Sequence, residues 1–506
     1  MLKNKFNNNT NTKIKLLIKN LTLSNFTFDS DVLPYLQNIT EEKFNVNEII
    51  KKIIDNHKQN NKKIIKKIDL EKILKLLDKK HSPKKEINIK NLNNKFQIIQ
   101  DPTKLIKPIP GIRGFNTLFN DRYKKFFNII LKSKLNINPI KIKDISSILK
   151  NKKLNTNNYT FHVAGLILEK ESYKNSIKIT LDDDTGNYTF NIYEDLMIKF
   201  NKNCLLDQMI IVKIKLQNNN LIVIDLEPID IPLRTSNYAK NEIYAILLSD
   251  IHVGSKYFLE KNFILLLEWI SGNLGDLEIV NKIGYIIIAG DIVDGVGIYP
   301  NQKDELKIIK IEEQYNYLAK LLKKIPNHIK IFIIPGDHDA TRSALPQPAI
   351  PNQYAKALYE LTNVTMLGNP SLINLNNVNF LIFHGRSLTD IMTKIPGLKF
   401  NEPTSHMKIL LKNRHLTPIY GLRTPISPEL QDYLLIDNIP DIFHSGHLHT
   451  FGAERYRGTW LINSGCWQAK TVFQENVGIE PKSCVIPYIN LKDLKVSFKN
   501  FIIDSE

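Results

Sequence analysis

The stretch IYAILLSDIH, residues 243–252, decides the fold of this 506-residue chain. Its continuous apolar run is typical of a strand that is covered on both faces of a parallel sheet. The run stops at Asp250 and His252, and amphipathic, helix-like segments follow at residues 262–270 and 308–322. Ligands of α/β proteins bind at the carboxyl ends of such strands. The stretch therefore predicts a layered α/β domain with a polar site at one edge of its sheet.

Four further apolar runs end in the same kind of residue. YIIIA is followed by GDIVD (290–294), IFIIP by GDHD (336–339), NFLIF by HG (384–385) and DIFHS by GHLH (446–449). Carboxylates and imidazoles together suit Mn, Fe, Zn and related divalent ions. In an extended D-x-H or H-x-H segment, alternate side chains point the same way and can grip one ion. We expect Asp291 to bridge two such ions.

Each of these motifs is weak when it is taken alone. A single DxH or GDxxD is more often a capped turn, and a lone buried histidine usually contacts a backbone carbonyl. Five motifs in order, each at a strand end, indicate one shared metal site. The glycines beside the candidate ligands predict tight turns with positive φ and close approach of a substrate. These glycines are Gly290, Gly336, Gly385 and Gly446.

The region before the α/β domain has a different pattern. Residues 159–233 contain the alternating runs TFHVAGLIL, SIKITL, YTFNIY, MIIVKIKL and LIVIDL, separated by turn signals. About five short strands predict a small barrel, an OB-fold, which serves either single-stranded nucleic acid or protein docking. Few aromatic residues accompany the basic ones, so we favour docking slightly. We expect a connecting segment and this barrel at 96–235, and the phosphoesterase-type domain at 240–506.

Residues 1–95 are rich in Lys, Asn and Ile. Segments 46–54 and 68–77 have helical spacing of apolar residues, and residues 79–85 are typical of a linker. The region is either a small helical module or a partly disordered basic tail. The formal charge of +18 favours a polyanionic partner such as nucleic acid, but a biased genome composition explains it equally well.

The three cysteines, Cys204, Cys466 and Cys484, lie far apart in the sequence, which argues against a disulfide framework and favours a reducing compartment. The N-terminus lacks the apolar core of a signal peptide, and no apolar run approaches the ~20 residues that span a bilayer. We therefore expect a cytoplasmic protein without a membrane partner.

D-x-H, GD-x-x-D, G-D-H-D, H-G and G-H-x-H in this order resemble the motifs of the calcineurin-like metallophosphoesterase superfamily. Longer blocks are similar to the small-subunit family of archaeal family-D DNA polymerases. The likeness covers about residues 96–503. The blocks are FNTLFNDRYKKF, HDATRSALPQP, HGRSLTDI, RHLTPIYGLRTPISPE, DIFHSGHLHTFG, INSGCWQAKTVFQ and KSCVIPYINL.

The resemblance implies a calcineurin-like α/β sandwich that holds two divalent ions, Mn²⁺ first, with Fe, Zn or Mg as alternatives. It implies that Asp291 ligates both ions. The other implied ligands are Asp250, His252 and His449 for one ion, and Asp337, His384 and His447 for the second. The resemblance implies that His338 is the general acid, although it could instead orient Asp337 or Asp339. The family usually has Asn where this chain has Asp337.

The resemblance also implies a proofreading 3′–5′ exonuclease that acts on single-stranded DNA 3′ ends and stabilises a large catalytic polymerase subunit. A sliding clamp is a further candidate partner, although no clamp-binding peptide is recognisable at the C-terminus. Alternative functions are a non-catalytic scaffold subunit or a different metallophosphoesterase. Four arginines in the matching blocks either contact DNA phosphates or pair with acidic residues of the scaffold. They are Arg342, Arg386, Arg414 and Arg423.

Overall fold

The computed structural model divides the chain into two units, residues 1–91 and 92–506. The residues that it describes are 94–133, 137–151, 159–476 and 478–502, with Thr27, Phe28, Val32, Ile64 and Ile65. In the first unit, strand β1 (Thr27–Phe28) pairs in parallel with β2 (Ile64–Ile65). The helical module or basic tail predicted for residues 1–95 otherwise lies outside the described residues.

The second unit contains both helices and strands. Its described α-helices are α1 (Gly111–Lys132), α2 (Ile145–Lys150), α3 (Glu194–Asn203), α4 (Glu260–Ile270), α5 (Leu277–Val280), α6 (Ile311–Leu322), α7 (Asn352–Tyr359), α8 (Ser387–Lys394), α9 (Pro403–Lys412) and α10 (Val472–Asn476). Its described strands are β3 (Phe96–Gln100), β4 (Thr160–Ser172), β5 (Ser176–Asp183), β6 (Gly186–Tyr193), β7 (Met209–Gln217), β8 (Asn220–Pro228), β9 (Tyr244–Leu248), β10 (Ile283–Ala289), β11 (Lys330–Ile334), β12 (Val364–Met366), β13 (Ser371–Leu375), β14 (Val378–Ile382), β15 (Ile442–Ser445), β16 (Phe451–Tyr456), β17 (Thr459–Ser464), β18 (Val485–Asn490) and β19 (Lys495–Asn500).

The first six-stranded sheet has the order β12-β11-β10-β9-β18-β19. Strands β9 to β12 are parallel, whereas β18 runs antiparallel to β9. Every residue of β10 is buried, because helices cover one face of the sheet and a second sheet covers the other. Its isoleucine-rich sequence suits a strand that is buried on both faces. The predicted parallel strands are confirmed.

The second six-stranded sheet has the order β16-β17-β15-β14-β13-β3. Strands β14, β15 and β17 are mutually parallel, and the remaining pairings are antiparallel. Strand β3 forms one edge by pairing with β13. The connecting segment that begins at residue 96 therefore starts with a strand of this sheet rather than of the barrel.

The two sheets pack face to face. Leu247, Ile287 and Phe332 of the first sheet lie in one apolar cluster with Phe380 and Ile382 of the second. Helices α4 and α6 cover the outer face of the first sheet, and α8 and α9 cover that of the second. Burying each large apolar side chain stabilises this arrangement by about 1.5–3 kcal/mol. The predicted α/β architecture is confirmed as a helix–sheet–sheet–helix sandwich.

The third sheet is antiparallel, with the order β6-β5-β4-β7-β8. These strands confirm the five short strands predicted from the alternating runs, and α3 connects β6 to β7. Phe161, Ile179, Phe190 and Val212 belong to one buried apolar cluster of this sheet. Closure of the sheet into an OB-fold barrel stays a prediction. Among the described residues, no helix has the length and apolar character needed to cross a bilayer.

Candidate metal centre

Both sheets of the sandwich end at the candidate site. Strands β9, β10 and β11 deliver three acidic residues from the first sheet, and β14 and β15 deliver histidines from the second. Because the strands that carry them are parallel within each sheet, their carboxyl ends meet at the same edge. The side chains that arrive there are Asp250, His252, Asp291, Asp337, His384, His447 and His449.

One half of the site is formed around His252. Its Nε2 lies 3.0 Å from Nε2 of His449 and 3.9 Å from Oδ2 of Asp291. His449 Nε2 in turn lies 3.5 Å from Oδ1 of Asp250. Asp250, His252 and His449 are all buried, and their ligand atoms are close enough to hold one metal ion.

The other half of the site also includes Asp291. Asp291 Oδ2 lies 3.3 Å from Nε2 of His384, and Asp337 Oδ2 lies 3.4 Å from Nδ1 of His447. Asp337, His384 and His447 form a second group that could hold a metal ion. Asp291 faces both halves, as the resemblance implied for a bridging ligand.

The hydrogen bonds of the histidines decide which of their atoms face the site. His384 Nδ1 lies 2.8 Å from the carbonyl oxygen of Ala289, so that nitrogen carries the proton and donates it. His384 Nε2 is buried, has no hydrogen-bond partner and lies 3.3 Å from Oδ2 of Asp291. An imidazole nitrogen beside a carboxylate, with the other ring nitrogen donating to a carbonyl, fits the ligand set of a divalent metal.

The polypeptide backbone at the site is strained. Five of the seven predicted ligands adopt the left-handed conformation, which costs an L-residue other than glycine about 1–3 kcal/mol. They are Asp250 (φ 51°), His252 (φ 53°), Asp291 (φ 50°), His447 (φ 70°) and His449 (φ 53°). The spacing of the D-x-H and H-x-H segments predicted that their ligands lie on extended backbone, and this prediction is wrong. Left-handed turns aim them at one point instead.

Two glycines provide space for the carboxylates. A Cβ atom on Gly336 would lie 2.2 Å from Oδ1 of Asp291, and one on Gly446 would lie 2.4 Å from Oδ2 of Asp250. Neither glycine has positive φ, so close approach and not a left-handed turn requires them. Gly290 and Gly385, in contrast, have the positive φ predicted from the sequence.

The charges of the site act strongly on its titratable groups. Burial lowers the pKa of the His384 imidazole, but the facing carboxylate of Asp291 outweighs burial and raises that pKa to about 10. Burial, reinforced by the charge of Asp291, raises the pKa of Asp339 to about 7. Asp339 accepts hydrogen bonds from the backbone of Gly336 and Ile292, so it holds the ligand loops rather than an ion. The cluster as a whole attracts positive charge.

Asp294, to which the sequence reasoning assigned no role, contacts the predicted ligand His252. Its Oδ1 lies 3.1 Å from His252 Nδ1, which leaves His252 Nε2 free to face the site. Gln302 donates to the Asp294 carbonyl at 2.7 Å, and Gln468 donates to its carboxylate at 3.2 Å. The second aspartate of GDIVD was the signal that could have identified it. Gln474 also contacts a predicted ligand, but in the opposite sense, because its Nε2 donates to Nδ1 of His449 at 2.8 Å.

His338 is partly exposed at the rim of the site. Its Nδ1 lies 2.7 Å from the carbonyl oxygen of Asp294 and donates to it, so Nε2 is the nitrogen that faces the cleft. The His338 ring packs edge-on against His252 with centroids 4.7 Å apart. The backbone N–H of His338 donates to Asp291 at 2.8 Å. Of the two roles considered, this geometry favours direct action on a substrate, because the ring contacts a carbonyl rather than the carboxylate of Asp337 or Asp339.

The four arginines lie in different environments. Arg386 Nη1 lies 3.5 Å from Oδ1 of Asp337, at the site itself, and Arg423 is exposed. Arg342 pairs with Glu429 at 2.7 Å within the scaffold. Arg414 is 6% exposed and donates to backbone carbonyl oxygens. The structure does not support the predicted phosphate contact at Arg414, because its guanidinium is already used inside the protein.

Comparisons with known proteins place the chain among polymerase subunits. Residues 245–453 match the family of B subunits of DNA polymerases alpha and epsilon. The chain is 38% identical over 402 residues to the DNA polymerase II small subunit of Pyrococcus furiosus, covering 76% of this chain and 63% of that protein. It is 39% identical over 392 residues to the DNA polymerase II small subunit of Archaeoglobus fulgidus, covering 75% of this chain and 76% of that protein.

Among solved structures, an archaeal phosphodiesterase aligns with 51% of this chain and 99% of its own at 11% identity and a TM-score of 0.26. A TM-score of 0.26 is too low to show a shared fold or activity. The match to the Archaeoglobus protein covers more than two thirds of both chains, and the match to the Pyrococcus protein spans about 63% of its length. The chain therefore belongs to the family of small subunits of archaeal DNA polymerase II.

Proposed function

We propose that this chain is the proofreading subunit of a replicative DNA polymerase, a two-metal 3′–5′ exonuclease that also stabilises the large catalytic subunit. The observation that carries the proposal is that two groups of Asp and His ligand atoms, each able to hold a metal ion, meet at the shared carboxylate of Asp291. Its Oδ2 lies 3.3 Å from His384 Nε2 and 3.9 Å from His252 Nε2. A subunit used only as a scaffold would not need to hold these ligand atoms together on strained backbone.

The two halves of the site divide the metal ligands between them. Asp250, His252 and His449 would hold one cation and Asp337, His384 and His447 the second, with Asp291 common to both. Mn²⁺ is the first candidate, and Fe, Zn or Mg are alternatives. Bound there, two divalent cations supply Lewis acidity that makes water nucleophilic and neutralises phosphoryl charge.

His338 completes the reaction. Water adds its oxygen to the phosphorus of the terminal nucleotide, and the bond between that phosphorus and the preceding 3′ oxygen breaks. The products are a nucleoside 5′-monophosphate and a shortened strand with a 3′ hydroxyl. The departing 3′ oxygen takes a proton from Nε2 of the His338 imidazolium, because the Nδ1 proton is held by the carbonyl of Asp294. The proton that the attacking water loses passes to solvent, and His338 takes a proton back from solvent.

Arg386 is the best placed of the arginines to bind the DNA backbone. Its guanidinium is partly exposed, with Nη1 3.5 Å from Asp337 and 3.3 Å from the carbonyl oxygen of Ser343. Both contacts are longer than a strong hydrogen bond, so the guanidinium can turn towards a DNA phosphate without breaking a tight ion pair. The exposed Arg423 can contribute a second phosphate contact at the surface.

The test uses the full chain reconstituted with a large catalytic subunit from its own source. End-labelled single-stranded DNA, a phosphoserine peptide and a cyclic nucleotide are offered with Mn²⁺. We expect mononucleotides released from the DNA 3′ end, and little release by His338→Ala. His162→Ala is the matched control, since His162 is a partly exposed histidine on β4, away from the site. Preferential hydrolysis of the peptide or cyclic nucleotide, or no hydrolysis at all, would contradict the proposal.

A further inference from the structure

An exposed apolar surface borders the candidate metal centre. Val296 is 46% exposed and Ile298 is 41% exposed, and both belong to the loop that follows Asp294. Large apolar side chains that stay exposed beside a polar cleft indicate a binding surface, because they do not contribute to the folded core. Together with the half-buried Tyr299, these residues form a surface that we call the apolar shelf.

The shelf lies directly against His338. A Cβ atom on Gly295 would lie 2.3 Å from the carbonyl oxygen of His338 and 2.9 Å from Cγ1 of Ile298. Gly295 therefore packs closely against both residues. The Tyr299 ring stands at 61° to the His338 ring, with centroids 6.3 Å apart. A group bound on the shelf is therefore adjacent to the proposed general acid.

Buried polar contacts hold the shelf in place. Gln302, which is 1% exposed, accepts from the backbone N–H of Ile298 at 2.9 Å and donates to the carbonyl of Asp294 at 2.7 Å. The Tyr299 hydroxyl donates to Glu305 at 2.8 Å, which fixes the ring plane. The apolar side chains thus stay exposed on a loop that is anchored to the residue orienting His252.

We propose that the apolar shelf binds the terminal nucleobase of an unpaired DNA 3′ end and so positions the last phosphodiester at His338. The inference rests on the proposed exonuclease function. A planar base has the shape and apolar faces to pack on Tyr299 and Ile298, and such stacking is independent of sequence. A terminal base that is paired and stacked in a duplex must first be unpaired to pack on the shelf, so unpaired ends are preferred.

The test compares two single strands that differ only at the 3′ residue, one with a base and one with an abasic tetrahydrofuran. In the reconstituted complex, the wild type should remove the base-bearing residue at a kcat/KM at least about fivefold higher, as expected for one stacked base. Ile298→Ser and Tyr299→Leu should bring that ratio towards one. Leu277→Ser is the matched control, being 44% exposed and next to the amino end of β10, at the opposite edge of the sheet.

The outcomes separate this inference from the proposed function. Equal removal of both ends by the wild type would overturn the shelf but leave the exonuclease intact. Absence of any removal would overturn the exonuclease instead. A preference that survives in both shelf variants, together with weaker association with the large subunit, would assign the surface to a protein partner and overturn the inference.

Discussion

Two buried clusters of aspartate and histidine lie in the same sandwich, and their hydrogen bonds run in opposite senses. In the first, the metal centre, His384 donates from Nδ1 to a carbonyl, and its Nε2 lies 3.3 Å from Asp291 without a hydrogen bond. In the second, which we call the core triad, Arg122 and His415 both point at Asp432. The clusters have similar residue types, so composition alone does not tell them apart.

The core triad joins donors to an acceptor. Arg122 Nε donates to Asp432 Oδ2 at 2.7 Å. The backbone N–H of Thr417 donates to His415 Nδ1 at 3.0 Å, so the proton of His415 is on Nε2 and is donated to Asp432 at 2.9 Å. Burial, together with the Arg122 charge, lowers the pKa of His415 to about 4. Asp432 therefore receives two donors in the triad, whereas His384 Nε2 has no hydrogen-bond partner at the metal centre.

Replacing the shared ligand should have the largest effect on activity. Asp291→Asn removes the charge that faces both halves of the site, and we expect kcat/KM for DNA to fall by about a thousandfold or more. That loss equals several kcal/mol of electrostatic stabilisation of the transition state. Metal content measured on the purified variant should fall with it. If Asp291→Asn kept full activity and two bound metal ions, Asp291 would not be a shared ligand, and the metal centre would not differ from the core triad.

Asp432→Asn tests the core triad in the same way. The substitution leaves the buried guanidinium of Arg122 without its carboxylate, and losing one partner of a buried ion pair costs about 3–5 kcal/mol. Urea denaturation in EDTA measures the loss in the free energy of unfolding. Metal content should stay unchanged in the folded variant. A variant as stable as wild type would mean that the triad is not a structural unit.

His338→Gln tests a histidine that is intermediate between the two clusters. Its Nδ1 is held by a carbonyl, as in His384, but its Nε2 faces the cleft. We expect kcat to fall by about a hundredfold, the usual contribution of a general acid. Metal content should not change, since His338 is not assigned to a cation. Loss of one metal ion would make it a ligand, because its ring lies near enough to His252 and Asp291 for that role.

The core triad also predicts a pH dependence of stability. His415 has a pKa of about 4 in the folded chain and about 6.5 when unfolded. The unfolded chain therefore binds the proton first, so stability is full above pH 6.5 and falls as pH drops towards 4. At pH 5 the loss from this group is about 2 kcal/mol. Urea denaturation in EDTA at pH 7.5 and 5.0 should show a smaller difference for His415→Gln than for wild type.

The sequence was sufficient to predict the α/β strands and to select seven residues that the fold brings together. This was possible because the apolar strands end at a common edge, and each is followed in the sequence by polar residues of the same kind. It was not sufficient to separate Arg386, at the site, from Arg414, which donates to carbonyls inside the protein. It also gave no role to His415, which lies in a family-like block. Those differences depend on contacts between distant segments, such as α1 with residues 415–432.

The smallest expected effect concerns Asp337, the proposed ligand at the position where the resemblance implied Asn. Asp337 lies 3.4 Å from His447 and 3.5 Å from Arg386, so part of its charge is already balanced. Asp337→Asn keeps an oxygen for a cation, and kcat/KM should change by no more than about tenfold. The Mn²⁺ concentration for half-maximal activity should rise, because one negative charge is gone. Asp337→Ala is the control that removes the oxygen and should lose the second cation. Loss of nuclease activity in Asp337→Asn would mean that this position needs a carboxylate for more than ligation, as Asp432 does in the core triad.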